Sequence, residues 1–499
     1  MSEESKSNNT LNVIKFVVFS LLGIFLFMVP LPQTADGEYV ANEHGVYVYQ
    51  AGDTTFNIPL GYAINWVGGT INNLEVNGFG LLVFITAVVI SVSFVGTLIA
   101  YLMKLITYSV VQATSETPNE TFAKKMAGQG KIMQMFLCSP LYFVSKAFAV
   151  AVAWMVFLSA GPDWLVAGWT GDLMLVDLVA SSGGLMAIFL VIGIAIPILT
   201  DFGLMEFLGV LIKKVVRVLF TLPGRSSIDL FGSWFSSSAA GVIITRDQHE
   251  KGFYTDREAA AICVNFTLVS LPFTFVVAST IGLTGHFGLF YLIICITSIL
   301  LAVLMPRIWP LSRIKDEYLP EVGKQINEEV PSGKSMFQEA LDQASTRASK
   351  TSASDVARSG VSNWISIFMD LIPVILAWGT LALIIEAHTG IFDFLSQPFA
   401  EYLRILGVAG YDEYAAVTIV GFIDMFIPAI LLGTAAPIDT RFILGALSIV
   451  QIIYLAETGI LILKSKIPLN IGHLAILFVM RTVLALPVIV LLTRLLFNP

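Results

Sequence analysis

The sequence predicts an all-α, polytopic membrane protein with about nine transmembrane helices and two re-entrant hairpins arranged as an inverted repeat. Three observations carry this. Hydrophobic residues make up 56% of the 499-residue chain and charged residues 13%, whereas soluble domains are roughly one-quarter charged. Apolar runs long enough to cross a bilayer recur from end to end. The order of long runs, amphipathic stretches and short polar-studded segments also occurs twice.

Taken in order, the spanning runs are 11–31, 79–111, 132–160, 173–199, 259–281, 286–310, 362–388, 440–463 and 467–497. The first has a charged lead, but "VPLPQTADGEY" offers no small-x-small cleavage site, so it reads as a retained helix. Residues 32–57 are acidic and lack Lys and Arg, and the glycine-broken "IPLGYAINWVGGTI" that follows suits an outer interface. Fifteen charged residues crowd 311–361, which reads as a soluble linker, partly helical near "FQEALDQA". The expected organisation is an N-terminal scaffold over 1–172, a first repeat over 173–310, the linker over 311–361 and a second repeat over 362–499. Cys138, Cys263 and Cys295 lie inside apolar runs without CxxC spacing, so they suggest neither a disulfide framework nor a zinc site.

Basic residues set the orientation. With a cytoplasmic N-terminus, Lys124, Lys125, Lys131, Lys213, Lys214, Arg217, Arg225, Arg246, Lys251, Arg257, the linker, Lys464 and Lys466 fall inside, and Arg404, Arg441 and Arg494 fall outside. This holds only if 226–245 enters and leaves on the inner side and 412–437 on the outer side. Each is therefore expected to be a re-entrant hairpin. Span, amphipathic stretch, hairpin and two spans then occur in each half. "GLMEFLGVLIKKVVRVL" from Gly203 aligns with "GIFDFLSQPFAEYLRIL" from Gly390, and Asp229-x-Phe231 aligns with Asp424-x-Phe426. Three spans per unit place the second copy upside down. Inverted repeats with half-membrane elements are the architecture of secondary transporters, because unpaired backbone inside a bilayer is tolerated only against protein or a ligand.

The stretches "GRSSIDLFGSWFSSSAAGVI" and "TRFILGALSIVQIIYLAETGILILKSKIPLN" resemble the nucleoside-recognition or Gate-domain membrane proteins, most closely the YjiH-like bacterial inner-membrane proteins. The order of parts resembles concentrative nucleoside transporters. That resemblance implies a cation-coupled homotrimer in the bacterial inner membrane, surrounded by lipid. It also implies a polar small-molecule site built by the hairpins and the helices after them. The nucleoside carriers' Gly-Gln-Thr-Glu motif is absent, and Gly224-Arg225-Ser226-Ser227 stands nearby instead. The cargo class therefore stays open among nucleosides, amino acids, peptides and other small metabolites.

An ionisable group costs roughly 2.5–3.5 kcal/mol at the centre of a membrane helix and is rarely idle there. Lys146, Asp229, Asp370, Asp424, Glu457 and Arg481 fall in the predicted membrane zone. The expected substrate contacts are Ser226, Ser227, Asp229, Ser236, Ser237, Ser238, Asp424, Gln451 and Glu457. The two hairpin aspartates carry an alternative role in hydrogen bonding within the hairpin. Glu457 precedes Thr458 and Gly459, where a helix unwinds easily, and its alternative is a buried pair with Arg481. Lys146 reads as structural. Asn265, Thr267, Ser270 and Thr458 are the expected oxygen ligands for a coupling Na+, with H+ the other possible coupling ion. Pro272 marks a second site of unwinding.

Enzyme chemistry lacks its parts. "PSGKS" ends like a P-loop, but Glu328 stands where its first glycine belongs and no strand precedes it. The five histidines have no metal-ligand spacing, no nucleophile triad emerges, and no basic patch suits a nucleic acid. A non-transporting assembly subunit on the same scaffold is the second expectation, of a different class.

Overall fold

The structure is a computed structural model that describes residues 3–28, 31–34, 38–41, 47–50, 54–57, 75–76, 79–114, 140–158, 201–220, 222–224, 226–227, 230, 238–266, 269–324, 335–366, 369 and 372–497, with isolated positions at 59, 63, 66, 136, 160, 191, 195, 197 and 198. The chain divides into two units. Unit 1 holds Met1–Asn65, Val191–Gly360 and Ile391–Pro499, and unit 2 holds Trp66–Leu190 and Val361–Gly390.

Helix α1 (Glu3–Met28) leads into strands β1 (Leu31–Thr34), β2 (Glu38–Ala41), β3 (Tyr47–Gln50) and β4 (Thr54–Asn57). β2 pairs antiparallel with β3, and β1 with β4 outside them. A third hairpin joins β5 (Glu75–Val76) to β6 (Phe79–Gly80). These strands correct the all-α expectation for this stretch, whose Tyr, Val and Thr content favours extended pairing. Helices α2 (Leu81–Thr114), α3 (Pro140–Phe157), α4 (Leu204–Leu219), α5 (Ser238–Glu250), α6 (Asp256–Asn265), α7 (Leu271–Thr280) and α8 (Phe287–Leu304) follow. The second half of the chain holds α9 (Met336–Lys350), α10 (Ala353–Ser366), α11 (Ile372–Thr389), α12 (Ile391–Ile405), α13 (Val417–Val420), α14 (Ile427–Leu432), α15 (Ile438–Val450), α16 (Ile460–Leu463) and α17 (Ile471–Leu496).

Among the described residues, four helical segments are long and apolar enough to cross a membrane: Thr10–Phe27, Phe84–Ser109, Thr284–Arg307 and Ile471–Leu496. The chain is a multi-pass membrane protein. The runs 259–281 and 440–463 are each helical at both ends and broken in the middle, as α6/α7 and α15/α16. The run 173–199 lies almost entirely outside the described residues.

Within unit 2, α2 and α11 pack on α3. Lys146 is fully buried and donates to Thr97 Oγ1 at 3.3 Å, in keeping with a structural role. Trp154 donates to Ser91 Oγ at 2.8 Å, beside a cluster with Phe84 and Phe157.

In unit 1 the stretch read as a linker is docked. Ala340, Ala344 and Ala348 recur every fourth residue on α9 and are fully buried, so backbones approach closely along that face. Phe16 of α1, Phe202, Ala344 and Ala348 form one apolar cluster, and Phe19 stacks on Phe202 with ring centroids 4.0 Å apart. Gly203 has φ +97°, and a β-carbon there would lie 2.5 Å from the Ala344 carbonyl oxygen. Only glycine fits. Polar pairs flank the seam: Arg347 lies 3.6 Å from Asp201 and 3.7 Å from Glu206, and Lys213 lies 3.4 Å from Glu339.

Contacts at the helix ends sort into two sets. At one end Thr255 donates to Asp316, Arg307 donates to the Leu219 carbonyl and Lys466 pairs with Glu321. Asp316, Glu321 and Lys466 are among the residues expected inside. At the other end Thr440 donates to the Ala409 carbonyl, Arg441 to that of Ile281 and Arg494 to those of Leu406 and Gly407. All are residues predicted outside.

Two predictions follow from this packing. Burial raises the Glu206 carboxyl above its ordinary range, against the opposing pull of a backbone hydrogen bond and Arg347. A raised carboxyl pKa stabilises the fold fully below the unfolded value and loses that contribution as pH rises through the folded one. Hydrogen exchange in α9 should therefore slow as pH falls through the raised Glu206 titration, after correction for intrinsic exchange, and Glu206→Gln should flatten that dependence. For topology, single cysteines at Lys251 and Asp412 in a cysteine-free background should label from opposite faces. Labelling of both from one face would refute the crossings.

Candidate functional site at two broken helices

The first break begins with a well-made half-helix. Thr255 caps α6 by accepting from the Glu258 N–H at 3.2 Å, while Glu258 accepts from the Thr255 N–H at 2.9 Å. The helix ends at Asn265 and restarts at Leu271, with Ser270 accepting from the Phe273 N–H at 3.4 Å. Pro272 explains the interruption. Its ring excludes a helical carbonyl four residues earlier, and it donates no hydrogen bond, so it suits only the first turn of a new helix.

The second break follows α15. Ile452 adopts φ +63°, a conformation that costs about 1–3 kcal/mol for a non-glycine residue, and Tyr454 is extended. A π-turn over Leu455–Gly459 then leads into α16. The last carbonyls of α15 find partners nearby: the Tyr454 hydroxyl donates to Ser448 at 2.7 Å and Ile449 at 3.0 Å. Thr458 Oγ1 donates to the Ile452 carbonyl at 3.0 Å and accepts from the Tyr454 N–H at 3.2 Å.

Arg481 of α17 joins the two breaks. It is fully buried. Its Nη1 donates to the Val264 carbonyl at 2.9 Å and to Asn265 Oδ1 at 2.8 Å. Its Nε and Nη2 donate to the Val450 carbonyl at 3.1 and 2.7 Å. The C-terminal ends of α6 and α15, where helix dipoles concentrate negative charge, thus meet on one guanidinium. The sequence reading paired Arg481 with Glu457, whose side chain lies outside the described residues. Two backbone carbonyls and the Asn265 amide oxygen are the partners seen.

The segment 409–440 closes on itself through the Thr440–Ala409 hydrogen bond of 2.7 Å, and its inner part reaches the second break. Gln451 Nε2 donates to the Thr418 carbonyl and to Thr482 Oγ1, both at 2.8 Å, and the Leu455 N–H donates to the Phe422 carbonyl at 2.9 Å. A β-carbon on Gly421 would run into Gln451 Oε1, so a larger residue there would have to displace the Gln451 amide.

The predicted residues divide accordingly. Asn265, Gln451 and Thr458 lie at the breaks and are buried. Asp424 is 3% exposed and accepts from the Phe426 N–H at 2.8 Å, the within-hairpin bond that was its alternative role. Ser226 and Ser227 are fully buried, with hydroxyls donating to the Pro223 and Gly224 carbonyls at 2.7 and 2.8 Å. Ser238 is buried at the start of α5, and Ser270 caps α7. Asp229, Ser236, Ser237, Thr267 and Asp370 lie outside the described residues. Sequence reasoning missed Tyr454, Thr482 and the carbonyls of Thr418 and Phe422. The one signal was the polar spacing of Gln451, Tyr454 and Thr458 within an apolar run.

The chain is 38% identical over 496 residues to the uncharacterized protein BpOF4_10220 of Alkalihalophilus pseudofirmus, covering 99% of this chain and 97% of that one. The two belong to one family. Residues 184–285 match the family model described as "Gate: Nucleoside recognition", so this Gate segment takes in α4 to α7 and the first break. Two solved structures of CNTnw, one inward-facing and substrate-bound and one of a doubly substituted form facing outward, align at 13% identity over 83% of this chain and 98% of theirs. Their TM-scores of 0.39 and 0.41 are too low to transfer any residue.

Gly421→Ala should force Gln451 away from Thr418, with a loss of stability of about 1–3 kcal/mol for the unsatisfied buried groups. A lowered melting temperature in detergent would register it. Gln451→Leu in the Gly421→Ala background should add little further loss, because the two changes break the same contact.

Proposed function

We propose that this Gate-domain protein is a secondary active transporter of a small polar solute, a nucleoside or another small metabolite such as an amino acid or peptide, coupled to Na+ or H+. One observation carries the reading: two apolar runs, each long enough to cross, are interrupted at mid-length, and both interruptions meet at Arg481. Broken helices expose backbone polar groups at depth, which is tolerated only where they are buried in protein or face a solute.

The inverted repeat draws support from positions that recur at one sequence spacing. Gly203 and Gly390, Leu219 and Leu406, and Arg307 and Arg494 are each the same distance apart, and Arg307 donates to Leu219 as Arg494 donates to Leu406. Each arginine closes the end of its repeat's amphipathic helix. In this reading 226–245 and 412–437 are the two re-entrant hairpins, with Asp229, Ser236, Ser237, Ser238, Asp424, Gln451 and Glu457 facing the solute. The matched model's description favours nucleosides as the first class to test.

The test is a thermal-shift screen of purified protein over nucleosides, amino acids, dipeptides and carboxylates, followed by uptake of any hit into proteoliposomes. Uptake should follow an imposed Na+ or proton gradient and vanish when an ionophore collapses it. Asp424→Asn should lower solute affinity severalfold while the protein still folds. Absence of binding and uptake under both gradients, with tight co-purification of another membrane protein, would favour the assembly-subunit reading.

A further inference from the structure

The transporter reading leaves the coupling ion open between Na+ and H+, and the junction at Arg481 bears on that choice. The negative ends of unwound membrane helices are where a coupling Na+ is ordinarily held, by carbonyls and side-chain oxygens. Here those oxygens are committed. Asn265 Oδ1 and the Val264 and Val450 carbonyls all accept from Arg481. The Asn265 amide nitrogen donates to the Ala261 carbonyl at 2.9 Å. The other described candidates are committed too, Ser270 to the Phe273 N–H and Thr458 to the break's own backbone.

Charge balance points the same way. A helix C-terminus acts as roughly −0.5 elementary charge, so two of them sum to about one negative charge. One guanidinium offsets that sum. Four of its five N–H donors are used on these acceptors, a fit that a spherical ion does not need and a planar fork does.

We propose that Arg481 is a built-in cation that fills the position between the C-terminal ends of α6 and α15, so that this junction takes no Na+ in the native chain. The inference rests on the transporter reading and deepens it by removing this junction from the places where a coupling Na+ could sit. Its structural core, a junction saturated by the arginine, stands or falls independently of transport. Removing the guanidinium while keeping the backbone opens a cavity lined by two carbonyls and an amide oxygen. That cavity is suited to a small external cation.

The full chain is purified in detergent and its unfolding followed against temperature, without any solute. The native protein should melt at the same temperature in sodium chloride and in choline chloride at equal ionic strength. Arg481→Ala should melt lower, and millimolar methylguanidinium should restore most of the loss while leaving the native protein unmoved. Arg481→Ala should also gain a saturable stabilisation by Na+ over choline. Arg481→Lys should fall between the two, since an ammonium supplies the charge without the planar fork. If Arg481→Ala does not fold, Asn265→Leu, which removes one acceptor, and the native Na+-against-choline comparison decide the matter. A saturable, Na+-specific stabilisation of the native chain that Asn265→Leu abolishes would overturn the proposal, as would an Arg481→Ala variant that melts like the native protein. Solute uptake that fails while the methylguanidinium rescue succeeds would discard the transporter reading and leave the built-in cation standing.

Discussion

The arrangement of unit 1 depends on one constraint: a carbonyl inside an apolar interior must find a hydrogen-bond donor. An intact helix meets it internally, but α6 and α15 stop short and leave terminal carbonyls at depth. Arg481 takes the Val264 and Val450 carbonyls, one from each helix, and the Tyr454 hydroxyl shares its proton between the Ser448 and Ile449 carbonyls of α15. Each unpaired group of this kind costs about 1–3 kcal/mol in a folded protein. The breaks, the buried arginine and the polar residues beside them are therefore one solution to one problem.

The same accounting explains why the segment 409–440 lies where it does. At the second break the Gln451 side-chain amide and the Leu455 N–H, which has left the helical pattern, donate to the Thr418 and Phe422 carbonyls. Gly421 permits the approach because it places no β-carbon in the path of Gln451. Short helices α13 and α14 are too brief to be stable alone, and they owe their place to this contact and to burial.

Much of this was legible in the sequence. Hydropathy marked the spans that appear as α1, α2, α8 and α17, and Pro272 and the Glu457-Thr458-Gly459 stretch marked the interruptions to within a few residues. The partner of Arg481 was not legible, because side-chain patterns do not report a backbone carbonyl, and a buried cation in a sequence points first to a carboxylate. The β-strands after α1 escaped because each is at most four residues long, too short for a period-two pattern to stand out. Docking of α9 escaped for another reason: its contact face is alanine, which hydropathy scarcely distinguishes from its polar surroundings, although Ala340, Ala344 and Ala348 kept helical register.

The bonds of Arg481 also have a mechanical meaning. A guanidinium is planar and its side chain is packed on all sides, so it ties α17 to the ends of α6 and α15 as a rivet ties three plates. Sliding any one of these helices along the others would tear several hydrogen bonds at once, at a site buried from the surface. These helices must therefore travel together as one stiff core. Any flexing that unit 1 undergoes is left to the segments this rivet does not reach.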